Sequence, residues 1–214
     1  MDDSPIGAID VSIKKAKTAL IFSSGFSEIG GQGEVFQNEI KKISQDSGLR
    51  VIGPNCLGLF NSANNFFPTF TTTVNRTTPI PGDIAIASQS GAYGSHIYMV
   101  AHERGLGIRY WMTTGNEVDL SVGETIQMMA EDPEVRTIMA YAESVKDGEQ
   151  FTKALDAARS EKKPVIFMKV GKALGNLSFP GLPNSYFYLV LIMPIIGNMY
   201  LEISKYMHTI FIML

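Results

Sequence analysis

Four consecutive residues, Ser88-Gln89-Ser90-Gly91, carry the residue types that hold an anion. They follow a short apolar run, Ile84 to Ala87, and precede a helical pattern marked by Ile97, Val100 and Ala101. A strand feeding a Ser/Gly turn that opens a helix leaves several backbone N–H groups without intrahelical partners. The positive end of the helix dipole lies behind them, which suits a phosphate. Gly91 lets the backbone come close to a ligand, and the Ser88 and Ser90 hydroxyls add donors. The same residues also read as an ordinary serine N-cap on a β-α turn.

The elements around this turn alternate. Upstream, residues 8 to 17 read as the end of an amphipathic helix and Thr18 to Phe22 as a strand, closed by Ser23-Ser24-Gly25. Glu34 to Ser47 is a helix with Val35, Phe36, Ile40 and Ile43 on one face, and Gly48 is its stop. Arg50 to Gly53 is a second strand, ending in Pro54-Asn55-Cys56. This is half of a parallel α/β sheet, with no G-x-G-x-x-G opening before it, so residues 1 to 54 read as the end of a domain whose front is missing or supplied elsewhere.

Residues 59 to 82, rich in Thr and Asn, read as a surface loop or edge hairpin. From Asp83 onward a fresh pattern begins. Strands at Ile84–Ala87, Ile108–Thr113, Thr137–Tyr141 and Pro164–Lys169 alternate with helices after Gly91, from Ser121 to Glu131 and from Gln150 to Ser160. Such alternation predicts a flavodoxin-like open parallel sheet, whose ligands gather beyond the carboxyl ends of the strands. The turns Ser88–Gly91, Thr114–Asp119, Glu143–Gly148 and Gly171–Lys172 all fall on that rim. The expected division is therefore 1–54, 55–175 and an atypical apolar tail, 176–214.

Composition narrows the function classes. A net charge of −3 and the lack of a basic stripe argue against a nucleic-acid partner. One cysteine, Cys56, excludes an internal disulfide and a multi-cysteine metal site, and suits a reducing cytoplasm. The start, Met1-Asp-Asp-Ser4, has neither the basic region nor the apolar core of a secretory signal. His96, His102 and His208 are too scattered for a metal site. In the tail, the apolar run Tyr186 to Ile196 is shorter than the roughly 20 residues that cross a bilayer, so a membrane partner is not expected. Its break in composition reads instead as a translation artefact and an aggregation hazard.

Five stretches, in order, resemble the α-subunit or α-like half of ADP-forming acyl-CoA (acetyl-CoA) synthetases, relatives of succinyl-CoA synthetase. They are Val51-Ile-Gly-Pro-Asn-Cys-Leu-Gly58, Ser88-Gln-Ser-Gly-Ala92, Thr114-Gly-Asn-Glu-Val-Asp-Leu120, Tyr141-Ala-Glu-Ser-Val-Lys-Asp-Gly148 and Lys163-Pro-Val-Ile166. The resemblance spans residues 8 to 173 and implies a succinyl-CoA synthetase-like fold with the C-terminal part of a Rossmann-like CoA-binding domain in front. It implies a ligase that interconverts acyl-CoA, ADP and phosphate with acid, CoA and ATP through a phosphohistidine. Coenzyme A and phosphate are the implied ligands here. ADP or ATP with Mg is implied on a β-subunit or fused ATP-grasp half. Ser88, Gln89, Ser90, Gly91 and Asn116 match the phosphate side, with Asp119 in the same loop. Ser23, Ser24, Gly25, Pro54, Asn55 and Cys56 match segments beside CoA. Glu143 matches the carboxylate that orients the active histidine. Ser95 stands where the succinyl-specific branch carries tyrosine, which points to a short acyl substrate.

Two departures bear on activity. The Gly-rich CoA fingerprint is absent, and after Gly171-Lys172 the chain reads Ala173-Leu-Gly-Asn-Leu-Ser-Phe-Pro180 in place of a Ser-His-Thr-Gly-like run. The expectation is a truncated α-type fragment, itself inactive. The alternatives are a non-catalytic CoA-binding regulatory module, as in protein lysine acetyltransferases, and a scaffold that docks a nucleotide-binding partner. Cys56 has no His or Asp nearby in sequence and reads as a buried small residue.

Overall fold

The computed structural model describes residues 16–170 and the strand Phe187–Ile192. The expected helix end at residues 8 to 17 lies almost wholly outside the described residues. The chain builds two sheets. In the first, β1 (Thr18–Leu20) and β2 (Arg50–Ile52) pair in parallel, joined by helix α1 (Gln32–Ser47). Gly48 closes α1 in the left-handed conformation, φ 71°, and donates to the Ser44 carbonyl at 2.9 Å, the arrangement that only glycine adopts freely. Phe26, Ile40, Leu49, Val51 and Val118 form the small core under this helix. Val35, expected on the covered face, is 47% exposed. Two short strands cover only a narrow stripe of α1, and Gly33, Ile40 and Ser44 fill it.

In the second sheet the strand order is β3-β5-β4-β6-β7-β8, with β3 (Leu59–Asn61), β4 (Ile84–Ser88), β5 (Ile108–Thr113), β6 (Thr137–Ala142), β7 (Val165–Val170) and β8 (Phe187–Ile192). The four middle strands run parallel, while β3 and β8 are antiparallel edges. Helices α3 (Gly91–Glu103), α4 (Val122–Glu131) and α5 (Gly148–Ser160) connect the parallel strands. Period-two alternation sorts β4 between two cores: Ile84 and Ile86 pack with Ile97, Tyr98 and Trp111, and Ala85 and Ala87 with Ile126, Met129 and Phe151. The sheet therefore carries α3 on one face and α4 with α5 on the other. β4 is the strand at which the winding reverses, and the crevice at its carboxyl end is where such sheets bind ligands.

Residues 59 to 82, read as a surface loop or edge hairpin, form the edge hairpin and add a short helix. Phe60 is 1% exposed and stacks on Trp111 at 5.7 Å, Asn61 bridges Phe66 as a hairpin, and a short helix α2 spans Thr72–Arg76. Within the stretch read as an atypical tail, Phe187–Ile192 pairs with β7.

Helix α4 opens with a reciprocal cap in which the Glu124 N–H donates to the Ser121 hydroxyl and the Ser121 N–H to the Glu124 carboxylate, both at 3.2 Å. Ser121→Ala removes one half of that box and should cost about 1 kcal/mol in a urea titration.

Candidate functional site

Beyond the carboxyl ends of β1, β4 and β6 lies a cavity of about 620 Å³ that both units line. Its size is that of a small-molecule site, roughly 300–1,000 Å³. Ser24, Ser27, Glu28, Asn55 and Cys56 come from the first unit and its boundary, and Gln89–Ala92, Gly115, Asn116, Glu143, Ser144 and Lys146 from the second.

The start of α3 faces this space. Ser90 is its N-cap, with its hydroxyl oxygen accepting from the Tyr93 N–H at 3.3 Å. The Gly91 and Ala92 N–H groups belong to the first turn and have no intrahelical acceptor, and both residues line the cavity at the positive end of the helix dipole. Gly91 is required for a reason the sequence did not reveal. A Cβ there would lie 2.5 Å from the Leu57 side chain, so the helix start packs directly on Leu57. Ser88 is fully buried and does not line the cavity; its hydroxyl donates to the Ser90 carbonyl at 2.7 Å, shaping the turn and leaving no donor for a ligand.

Gln89 lines the cavity, yet its amide is committed. Its side-chain oxygen accepts from the Glu143 and Ser144 N–H groups at 2.8 and 3.0 Å, and its nitrogen donates to the Ser144 carbonyl at 2.9 Å. Its effect is to strap the Glu143 loop onto the start of α3. Glu143 is exposed at the cavity wall, within reach of a bound ligand.

Asn116 also lines the cavity and acts as a junction. Its side-chain oxygen accepts from Asn55 at 3.2 Å, while its amide donates to Gln37 at 2.9 Å and to Glu28. The Glu28 carboxylate also accepts from the Gly25 N–H at 2.5 Å and the Phe26 N–H at 3.1 Å. Burial alone would raise the Glu28 pKa; the hydrogen bonds from Asn116, Gly25 and Phe26 outweigh it and hold the carboxyl below its usual range. The Gly25 donor, matched to the CoA-side turn, is therefore already used by an internal anion. Ser23, Gly25 and the buried Pro54 do not line the cavity.

The Thr114–Leu120 loop is also the seam between the units. Asn116, Val118 and Leu120 donate to the carbonyls of Pro54, Gly53 and Val51 at 2.8, 3.0 and 3.0 Å, an antiparallel run along β2 and the turn after it. Asp119 accepts from Arg50 at 2.9 Å and from the Val51 N–H at 2.7 Å, so it is a clamp on β2 and does not line the cavity. One edge of the two-stranded sheet is thus covered by the second unit.

Cys56 is 2% exposed, and burial pushes its thiol up to about 11. Its sulfur lies 3.3 Å from the Ile21 carbonyl, so it is a neutral thiol and not an activated nucleophile. Sequence reasoning missed Glu28, Lys146, Phe22 and Phe70 on the lining. Lys146 lies in the Tyr141–Gly148 stretch, and a cation three residues past Glu143 on the rim is its signal in the sequence. Its ammonium donates to the Asn116 carbonyl at 2.5 Å.

Behind the wall, Glu117 is 7% exposed and accepts from the Thr114 hydroxyl and the Val122 N–H, each at 2.8 Å. Burial raises its pKa from the ordinary 4.5, against the pull of Gln89, Thr114, Val122 and Lys146. A raised carboxyl contributes stability that is full below its ordinary value and is lost as pH rises through the folded value. Wild type should therefore lose stability relative to Glu117→Gln between pH 4 and pH 8, read from urea midpoints. A constant difference across that range would contradict the assignment.

Among the described residues no group of His, Cys, Asp and Glu could hold a metal, and no helix is long and apolar enough to cross a membrane. His96 and His102 lie on α3 and do not line the cavity; the His102 ring contacts the Thr78 carbonyl at 3.1 Å.

The succinyl-CoA ligase like flavodoxin domain matches residues 81–176. The α-subunit of acetate–CoA ligase (ADP-forming) II from Pyrococcus furiosus is 33% identical over 165 residues, covering 77% of this chain and 35% of that protein. An ADP-forming acetate–CoA ligase of Methanocaldococcus jannaschii is 33% identical over 159 residues, 74% of this chain and 21% of that one. Among solved structures, the dinucleotide forming acetyl-coenzyme A synthetase 1 of Ca. Korarchaeum cryptofilum, in complex with phosphate and ADP, superposes with a TM-score of 0.69 at 29% identity, covering 78% of this chain and 35% of that one. The chain spans about a third or less of the length of these relatives. Through residues 81–176 the chain belongs to the succinyl-CoA ligase-like flavodoxin domains, in the company of the α-subunits of ADP-forming acetate–CoA ligases.

Proposed function

We propose that this chain is the phosphate-side part of an ADP-forming acyl-CoA ligase and holds a phosphate or acyl phosphate at the start of α3. The observation that carries this reading is a convergence in one cavity: the free amides of α3, Glu143, and the CoA-matched Ser24, Asn55 and Cys56. A transferred phosphoryl group needs positioning and charge stabilisation more than covalent help. Gly91 and Ala92 offer amide donors and Lys146 a positive charge. Glu143 is free to accept a hydrogen bond from an imidazole and fix its tautomer, which supports the ring while it carries positive charge. Coenzyme A would bring the thiol, facing Ser24, Asn55 and Cys56. ADP with Mg would lie on a nucleotide-binding partner half. Since His96 and His102 do not line the cavity, the imidazole must come from outside the described residues.

Calorimetric titration tests the reading on the chain itself. Inorganic phosphate should bind saturably with Kd of about 1 mM or tighter, and acetyl phosphate should compete. Absence of saturable binding to either compound overturns the proposal.

A further inference from the structure

Phe22 and Phe70 stand apart from the rest of the lining. They are 38% and 56% exposed, yet their rings meet edge to face at 5.1 Å and an interplanar angle of 78°. Phe22 follows β1 in the first unit and Phe70 precedes α2 in the second, so the pair lines the cavity with one ring from each unit.

The placement of both rings is built. Gly58 has φ 100°, and a Cβ there would lie 2.9 Å from Phe22 Cε1 and 2.3 Å from the Pro68 carbonyl oxygen, so only glycine lets the ring and the loop come this close. The Phe70 loop is pinned on each side. The Thr69 hydroxyl donates to the Leu57 carbonyl at 2.6 Å, the Leu59 N–H donates to the Pro68 carbonyl at 3.1 Å, and the Thr71 hydroxyl lies 3.3 Å from that of Ser95. A loop held this firmly presents Phe70 to the cavity by construction.

The apolar wall is also continuous with the anion site. Leu57 packs against Gly91 at the start of α3, and Cys56 and the two rings share the same cavity. A carboxyl or acyl phosphate head placed on the Gly91 and Ala92 amides has Leu57 beside it and the aromatic pair farther along. Among the described residues the charged groups of the lining are Glu28, Glu143 and Lys146, so a second carboxylate on the tail would meet rings and like charges, while the Lys146 cation serves the head.

We propose that Phe22 and Phe70 are specificity-determining residues that receive the tail of the acyl group and select an apolar or aromatic tail over one ending in a second carboxylate. This rests on the ligase reading of the cavity. The test is an NMR titration of the 214-residue chain with phenylacetate, acetate and succinate, following the Phe22 and Phe70 ring signals and the Gly91 amide. Phenylacetate should bind about tenfold more tightly than acetate, the gain expected of one aromatic contact, and succinate no more tightly than acetate. Phe70→Ala should bring phenylacetate down to the level of acetate while phosphate affinity stays unchanged; Phe70→Leu, which keeps an apolar side chain, should retain part of the gain and guards against a folding defect in the alanine variant. If phosphate still shifts Gly91 but phenylacetate binds no better than acetate, or succinate matches phenylacetate, the specificity assignment falls and the ligase reading stands. If neither phosphate nor any acid perturbs the cavity, both fall.

Discussion

Alanine at position 115 is expected to destabilise the protein by about 3 kcal/mol and to abolish phosphate binding at the same time. Gly115 has φ 59°, and a Cβ on it would lie 2.2 Å from the Pro54 carbonyl oxygen and 2.6 Å from that of Asn55. The left-handed backbone alone costs an alanine on the order of 1 kcal/mol, and relieving a clash with two backbone oxygens adds about 1–3 kcal/mol. Neither oxygen can swing aside as a flexible side chain would. The movement must separate the 114–120 loop from β2, and with it Asn116 from Asn55, Gln37 and Glu28. Urea unfolding and a phosphate titration on the same variant check both effects. A variant with wild-type stability would show that the seam gives way without consequence.

The second large effect is expected at Lys146. Replacing it with methionine should weaken phosphate binding by about tenfold or more, the range of a charge-assisted hydrogen bond, and Lys146→Arg should keep much of the affinity. The ammonium is held on the Asn116 carbonyl and lines the cavity. An anion there meets the carboxylates of Glu28 and Glu143, so loss of the cation leaves the α3 amides as the main attraction. Calorimetry at low and high salt gives the measurement. If Lys146→Met binds phosphate as wild type does, the lysine is only a tie to the 114–120 loop.

Legibility followed the range of the interactions. The bounds of β5, Ile108–Thr113, match the sequence reading because a β-branched and aromatic run set between Gly107 and the Thr114-Gly115 turn favours a strand on local grounds. The start of α3 was legible for the same local reason, since cap, glycine and dipole all lie within a few residues. Gln89 lines the cavity as a phosphate-side residue would, but its bonds to the Glu143 loop are not legible in the sequence, because those partners lie 54 and 55 residues away. Ser88 is buried and set back from the cavity lining, which its neighbours in sequence do not reveal. Phe70 and Glu28 carry no local signal of a site: one is an aromatic in a Thr-rich loop, the other a loop carboxylate. Phe70 gains meaning once the Leu57–Leu59 segment and Gly58 set Phe22 beside it, and Glu28 once the 114–120 loop brings Asn116 to it. The alternation of strands and helices thus foretold the rim, while the cavity's second wall depended on the seam between units.

The proposed phosphate sits on the first turn of α3, beside the loop that carries Glu143. A phosphate titration of the isotope-labelled chain, read amide by amide, tests that placement most directly. Saturable shifts should be largest at Ser90, Gly91 and Ala92, with Glu143, Ser144 and the Lys146 side chain following at the same concentration. Shifts confined to other surfaces, or none at these amides, would contradict the account.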